Sequence, residues 1–343
     1  MKDPFAKNDI KIAVVGGGTG SFTLLSALKK HTSQLAAIVN MVDDGGSTGI
    51  LRDELGTLPP GDVRQCLVAL SDSPKIRNLF NYRFDEGTFS GHSFGNILLT
   101  ALEKACGSFN EAVDTASEIL RINGVVIPST LDDVRLKMEW PEASTILQGE
   151  RVIDANYFKY DPRRATLSLI PEATANPMAI KAIKQADMVI IAPGDLYTSL
   201  GPLLVINGIA QALKESDAIC VYVSNLVTKH GQTTGFTVGD HAGEIERFVG
   251  VPFLDYVLYN EQIPTRDIAK NYKQEKAYLV KIDKSFLAKA TYKSIGGNFL
   301  GDMAKKASKK SDSLIAKRSL IRHDADAVAK SLISLFIDNN TTL

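Results

Sequence analysis

Residues 11–20 read KIAVVGGGTG, an apolar run that passes directly into four glycines within five residues. A short run of Ile, Ala and Val is typical of a buried strand, and apolar residues recur at helical spacing in the segment that follows. The pattern predicts a strand over 11–15, a tight loop over 16–20 and a helix over 21–30. Such strand–loop–helix units build parallel sheets that are flanked by helices.

The same alternation returns in the second half of the chain. Apolar runs at 188–192, 218–224 and 255–259 predict further strands, and the segment from about 203 to 215 predicts a helix. The predicted fold class is therefore α/β, with a mostly parallel sheet flanked by helices.

The middle of the chain follows a different pattern. Residues 134–140 alternate strictly between apolar and polar side chains, as does much of 165–170, so one face of these strands should be wet. This alternation predicts a small antiparallel insert over about 125–172. We interpret 1–343 as a single α/β domain, in which about 264–343 form a C-terminal extension.

Composition narrows the class of protein. The chain has 343 residues, 44% of them hydrophobic, which is enough for a large core and excludes a disordered chain or a coiled coil. Its 39 basic and 39 acidic residues balance, so no global field attracts nucleic acid or an anionic membrane. No apolar run reaches the roughly 20 residues that a membrane span needs.

The cysteines indicate a reducing compartment. Cys66, Cys106 and Cys220 stand far apart in apolar surroundings and form no Cys-x-x-Cys pair. We expect three buried thiols in a cytoplasmic protein.

The glycine loop after the first strand predicts an anion site. Its residues are Gly16, Gly17, Gly18, Thr19 and Gly20. They carry little side-chain bulk, so backbone N–H groups and a helix N-terminus can converge on a phosphate. The loop is not a P-loop, because no Gly-Lys-Ser/Thr follows it, and Ser21 stands where a dinucleotide fingerprint has its last glycine. A turn that is rich in glycine merely for close packing remains the alternative.

A second candidate loop follows the strand predicted over 35–42. It begins with Asp43 and Asp44 and continues with donor-rich residues, Gly45, Gly46 and Ser47. One interpretation is the ribose-binding acid of a nicotinamide dehydrogenase. Two neighbouring anion-binding loops favour a diphosphate instead, with the aspartates orienting a hydroxyl nucleophile or holding Mg²⁺ through water. A plain Asp-Gly turn is the third interpretation.

Other polar side chains stand at predicted helix starts. Arg52 can pair with a carboxylate or a phosphate, and Asp62 is interpreted first as a helix cap. His92, with Ser93 and Asn96, can donate to a phosphate or a sugar, with a surface loop as the alternative.

The strand at 188–192 also ends in a polar loop. It leads into Gly194 and three consecutive hydroxyl residues, Tyr197, Thr198 and Ser199. Ligands bind at the carboxyl edge of open α/β sheets, so this loop is a further candidate. Asn225, directly after the next strand, offers both a donor and an acceptor to a base or sugar.

Five motifs in this order resemble the YvcK/CofD-like family. They are residues 16–20, 43–52, 59–64, 91–96 and 193–199, within a resemblance that runs from about 11 to 260. The resemblance implies a Rossmann-like α/β fold. In its YvcK branch, the gluconeogenesis factors bind UDP-sugars such as UDP-N-acetylglucosamine and are linked to cell shape and wall synthesis. In its CofD branch, Mg²⁺-dependent phospholactate transferases act on a GDP-linked substrate. Residues 91–96 and 197–199 are more similar to the YvcK branch.

The resemblance implies a nucleotide-sugar binding protein, a gluconeogenesis factor in cell-wall homeostasis, that requires no cofactor. We expect a homo-oligomer with a protein partner in wall metabolism and no nucleic-acid partner. A phospholactate transferase, with Asp43 or Asp44 positioning Mg²⁺, is the alternative. Arg322 is added as a phosphate contact. The predicted ligand-binding residues are Gly16, Gly17, Gly18, Thr19, Gly20, Asp43, Asp44, Gly45, Gly46, Ser47, Arg52, Asp62, His92, Ser93, Asn96, Gly194, Tyr197, Thr198, Ser199, Asn225 and Arg322.

Two departures from the YvcK pattern concern charge. Asp195 stands where that pattern has Ser, which adds a carboxylate near the expected diphosphate loop. Residues 228–233 read TKHGQT where the family tends to read TQxGET, so an acid is lost and bases are gained. A carboxylate at position 195 repels phosphate unless it points away or meets a cation.

Overall fold

A parallel β-sheet forms the centre of the molecule in the computed structural model, which describes residues 10–264, 276–301 and 322–341. The strands of the described residues are β1 (Ile12–Gly16), β2 (Leu35–Val39), β3 (Val125–Pro128), β4 (Arg135–Trp140), β5 (Thr145–Gln148), β6 (Thr166–Ile170), β7 (Met188–Ile191), β8 (Ile219–Val223), β9 (Tyr256–Asn260) and β10 (Lys293–Gly297). Seven of them form the main sheet in the order β3-β2-β1-β7-β8-β9-β10, and all neighbouring pairs run parallel. The predicted fold class is confirmed.

The antiparallel insert is a three-stranded sheet in the order β5-β4-β6. Its strands lie between Arg135 and Ile170, inside the predicted range of about 125–172. The segment Val125–Pro128 at the start of that range instead pairs parallel with β2 and extends the main sheet. Val126 and Ile127 are buried on opposite faces of that sheet, so this strand lacks the single wet face of the insert.

Helices cover both faces of the main sheet. In the described part of the chain they are α1 (Gly18–Leu28), α2 (Gly46–Leu55), α3 (Pro60–Leu70), α4 (Pro74–Asn81), α5 (Phe94–Cys106), α6 (Phe109–Leu120), α7 (Glu150–Ala155), α8 (Pro177–Gln185), α9 (Gly201–Leu204), α10 (Ile209–Lys214), α11 (Val238–Val249), α12 (Lys284–Leu287) and α13 (Ala325–Thr341). Short 3₁₀ turns span Pro141–Ala143 and Pro162–Arg164, and a π-helical turn spans Leu196–Leu200. No helix among the described residues is long and apolar enough to cross a membrane.

Alternate side chains of β1 enter two different cores. Ala13 and Val15 pack with the insert and with α8 to α11. Ile12 and Val14 pack with α1, α3, α5, α6 and α13 on the other face. Because both faces are covered, β1 is apolar throughout, as expected of a central parallel strand.

The strand order reverses at the centre of the sheet. From β1 the chain moves outward to β2 and β3 on one side, and later returns to place β7 on the other side of β1. Open parallel sheets bind ligands outside the carboxyl ends of the strands at such a switch point. The carboxyl ends of β1 and β7 are therefore the expected position of a site.

Three local predictions were wrong. The helix predicted over about 203–215 is broken into α9 and α10, because Gly208 adopts a left-handed conformation with φ of 101°. Helix α3 begins at Pro60, so Asp62 lies in its first turn and does not cap it. Cys106 is exposed at the end of α5, whereas Cys66 and Cys220 are buried.

The two central strand ends touch through backbone atoms. A methyl group built on Gly20 would lie 1.8 Å from the carbonyl oxygen of Pro193, the second residue after β7. Any side chain at position 20 therefore pushes the two loops apart.

We predict that Gly20→Ala lowers the free energy of unfolding by about 1–3 kcal/mol, the usual cost of overpacking. Gly243→Ala is the matched control, because a methyl group at that position in α11 meets open space. In a helix the control should raise stability by roughly 0.5–1 kcal/mol. Denaturant unfolding measures both changes, and wild-type stability of Gly20→Ala would contradict the close contact.

Candidate functional site

A cleft of about 720 Å³ opens at the carboxyl ends of β1, β7 and β8. This volume is within the roughly 300–1,000 Å³ of small-molecule sites. Eight of the predicted ligand-binding residues line it: Gly17, Gly18, Thr19, Gly20, Gly194, Ser199, Asn225 and Arg322.

The N-terminus of α1 forms one wall of the cleft. Gly17 is extended and Gly18 has φ of 63°, a left-handed conformation that glycine adopts without strain. The N-cap residue, Gly17, has no side chain to cap the first turn of α1, and no acidic residue lies within that turn. The carboxylate of Asp62, from α3, stands beside it. The backbone N–H groups of this turn and the positive end of the helix dipole suit an anion.

Asn225 holds the second loop against this wall. Its Nδ2 donates to the carbonyl of Gly194 at 2.8 Å, and its Oδ1 accepts from the hydroxyl of Tyr222 at 3.0 Å. Both ends of the amide have protein partners, so Asn225 fixes the position of Gly194. Ser199, on the π-helical turn that follows, completes this side.

A charged group spans the cleft between the insert and the sheet. The ammonium of Lys229 contacts Asp154 Oδ1 and lies 2.9 Å from Asp195 Oδ2. Thr198 Oγ1 donates to the same Asp154 oxygen at 3.3 Å. We call Asp154, Asp195 and Lys229 the cleft triad. Burial disfavours the ammonium, but the charges of Asp195 and Asp154 outweigh it and raise the pKa of Lys229.

A second part of the cleft wall comes from residues late in the chain, where α13 shares a core with α1. Arg322 and His323 line the cleft, followed by Ala325 and Val328 of α13. His323 Nε2 donates to the carbonyl of Ser224 at 3.1 Å, and burial lowers its pKa to about 4. The imidazole is therefore neutral at pH 7, and Arg322 supplies the cation of this wall.

A second polar group lies at the N-terminus of α2. Helix α2 also starts at a glycine pair, and Gly46 has a left-handed conformation. Because Gly45 is the N-cap and α2 begins at Gly46, residues 45–47 form the cap and first turn of the helix and not a free loop. Ser47 Oγ lies 2.9 Å from His92 Nδ1 and accepts from Asn96 Nδ2 at 3.2 Å.

Two neighbours hold this group in place. Asn96 Oδ1 accepts from Arg64 Nε at 2.9 Å, and Ser93 caps α5. The structure thus brings Gly45, Gly46, Ser47, His92, Ser93 and Asn96 together, beside the cleft and not in its lining.

Asp62 links the two groups. A methyl group built on Gly17 would lie 2.4 Å from Asp62 Oδ2, so this carboxylate stands beside the first turn of α1. A methyl group on the adjacent Gly61 would lie 2.7 Å from Asp43 Oδ2. Burial raises the pKa of Asp43, and the charge of Asp44 adds to that effect.

Four predicted residues have structural partners instead of facing the cleft. Gly16 is the last residue of β1. The guanidinium of Arg52 is buried and donates to the carbonyls of Val42, Asp43 and Val134 and to Asp133. Tyr197 lies in the core, where its hydroxyl donates to Glu244 Oε2 at 2.9 Å. Thr198 is buried and accepts from Asn40 Nδ2 through its carbonyl at 3.3 Å.

Asp44 of the aspartate pair has backbone partners in the insert. Asp44 accepts from the backbone N–H groups of Glu150 and Arg151 at 3.1 and 2.7 Å, so it caps α7. Among the described residues, no group of three or more His, Cys, Asp or Glu side chains is arranged to hold a metal ion.

Glu150 was not identified from sequence, although it lies among these acids. Burial, followed by the charges of Asp43, Asp154 and Asp44, raises its pKa to about 9. The carboxyl is thus neutral at pH 7. Asp154 and Glu150 both lie in α7, which carries no recognisable motif, and only the fold of the insert brings them to the site. Lys229, by contrast, was visible as a departure from the family pattern.

We predict that the raised pKa of Glu150 makes the free energy of unfolding fall as the pH rises. The unfolded side chain loses its proton near pH 4.5 and the folded one near 9, so the folded state binds more protons between these values. Glu150→Gln should abolish this dependence and gain at least about 1 kcal/mol over wild type between pH 5 and 8, since one pKa unit corresponds to about 1.36 kcal/mol. Urea unfolding at several pH values measures the difference, with the exposed Glu54→Gln as the control. Parallel wild-type and Glu150→Gln curves would refute the assignment.

Comparison with known families identifies a match over most of the chain. Residues 12–300 match the family described as 2-phospho-L-lactate transferase CofD. A gluconeogenesis factor of Bacillus subtilis strain 168 is 36% identical over 328 residues, which are 95% of this chain and 98% of that protein. A relative in Clostridium acetobutylicum, provisionally named a gluconeogenesis factor, is 39% identical over 330 residues, 96% of this chain and 70% of its own.

Solved structures show the same fold. A crystal structure of a UPF0052 family member from Bacillus halodurans has a TM-score of 0.84 and 34% sequence identity to this chain. The match covers 94% of this chain and 99% of the other.

Proposed function

Since the chain belongs to the CofD family, we propose that it is a cytoplasmic gluconeogenesis factor that binds a nucleotide sugar. A UDP-sugar such as UDP-N-acetylglucosamine is the proposed ligand. Binding would report on sugar-nucleotide supply and regulate a protein partner in cell-wall metabolism and morphogenesis during growth on gluconeogenic carbon.

One observation carries the proposal. The glycine-rich N-terminus of α1, the Gly194 loop and Arg322 line the same cleft. Backbone donors, a helix dipole and a guanidinium together match the charge and donor demand of a diphosphate. In this arrangement the residues hold and orient a ligand, and the proposal requires no bond to be made or broken.

The cleft differs chemically between its two sides. Leu24 of α1 and Val328 of α13 belong to the core on one face of the sheet. The cleft triad lies on the other face, where the insert packs. We place the nucleoside on the apolar side and the sugar on the charged side, with the diphosphate between them at α1.

We predict that Gly18→Val abolishes the thermal stabilisation produced by UDP-N-acetylglucosamine. A ligand at 100 times its dissociation constant stabilises by about 2.7 kcal/mol, which a thermal-shift assay detects easily. A β-branched side chain at φ of 63° is strained, so some loss of apo stability is expected. Gly56→Val is the matched control, because Gly56 also has a left-handed φ, of 59°, and a side chain there would face open space at the C-terminus of α2. The control should lose similar stability and keep the ligand shift.

A second variant avoids backbone strain altogether. Arg322→Gln should weaken binding of UDP itself at least about tenfold, since a charged hydrogen bond to phosphate contributes roughly 1.5–3 kcal/mol. If UDP binds this variant with unchanged affinity, Arg322 does not contact the diphosphate.

The transferase alternative is tested separately. The protein is incubated with Mg²⁺, GDP-linked phospholactate and a deazaflavin acceptor, and the binding proposal expects no release of nucleotide.

A further inference from the structure

The cleft triad is a built charge arrangement at the sugar side of the cleft. Asp195 follows β7, Lys229 follows β8, and Asp154 comes from the insert, so three separate segments converge there. The side chains of Asp154 and Asp195 are 44% and 42% exposed, whereas that of Lys229 is 25% exposed. All three residues line the cleft, and the two carboxylates are the more exposed groups.

The triad also pairs two of the residues whose charge departs from the family pattern. Asp195 adds a carboxylate where the family pattern has Ser, and Lys229 adds a cation where that pattern has Gln. In the structure these two residues form an ion pair. Asp195 thus meets a cation. Asp154 shares that cation, so the two carboxylates and one ammonium of the triad have a net charge of −1.

We propose that the cleft triad selects neutral, hydroxyl-bearing sugars and rejects an anionic group attached beyond the diphosphate. This inference rests on the proposed function. Carboxylate oxygens accept from sugar hydroxyl groups, and Lys229 has three N–H donors of which the aspartates use two. A sugar carboxylate at the same place meets two carboxylates and one ammonium, so the net negative charge of the triad repels it.

The test compares UDP-glucose with UDP-glucuronate, which differ only in a hydroxymethyl and a carboxylate group. Isothermal titration gives the ratio of their dissociation constants for each variant. We expect UDP-glucuronate to bind wild type about tenfold more weakly than UDP-glucose. UDP alone reports on the diphosphate cradle, and the ratio of the two UDP-sugar dissociation constants cancels any effect of the triad's charge on the diphosphate that they share.

A charge series separates selection from a merely structural role. Asp195→Asn brings the triad to zero and should reduce the ratio to about three or less. Lys229→Gln brings it to −2 and should raise the ratio above that of wild type. The double variant returns to −1 and should restore the wild-type ratio. Asp217→Asn, an exposed change at the amino end of β8, is the control and should leave the ratio unchanged.

Two failures are distinguishable. If both UDP-sugars bind wild type equally, or if the ratio does not follow the charge of the triad across the series, the inference is wrong while the proposed function stands. If neither UDP nor the two UDP-sugars bind wild type, the proposed function fails, and the inference fails with it.

Discussion

The close approach of two backbone loops is the constraint on which the site depends. Position 20 has no room for a Cβ beside the carbonyl oxygen of Pro193, so the loops at the carboxyl ends of β1 and β7 are in direct contact. That contact aligns the start of α1 with Gly194 across a single cleft. Asn225 then fixes Gly194 from the next strand, so three neighbouring strands contribute to one wall.

The sequence predicted this part of the site because its signals are local. An apolar strand, glycines without side chains and a helical pattern follow one another directly between Ile12 and Leu28, and their geometry depends little on the rest of the chain. The parallel sheet was predictable for the same reason. Val125–Pro128 was misassigned because so short a strand carries too little pattern to show whether one face or both are buried.

The less predictable part depends on contacts that are distant in sequence. Tyr197 lies within a row of hydroxyl residues, yet its ring packs in the core because the π-helical turn directs it towards Glu244. Arg52 follows a motif that resembles a phosphate-binding loop. Its guanidinium instead donates to Asp133 and holds the loop after β2 in place. Asp154 and Glu150 have no motif at all, and the fold of the insert brings them to the site, where Asp44 caps the helix that carries them.

Because β1 lies at the centre of the sheet, the parts of the cleft are synthesised at widely separated times. The ribosome delivers the glycine loop before β2, but its partner loop at 193–195 follows only after the whole insert, and Arg322 emerges later still, after β10. A nascent chain that ends just after β7 therefore has half a cleft, with an unpaired strand edge where β8 will lie. The cleft gains its complete lining once Arg322 has emerged. Under the proposed function, ligand capture would therefore mark a chain in which the early and late parts of the cleft have come together.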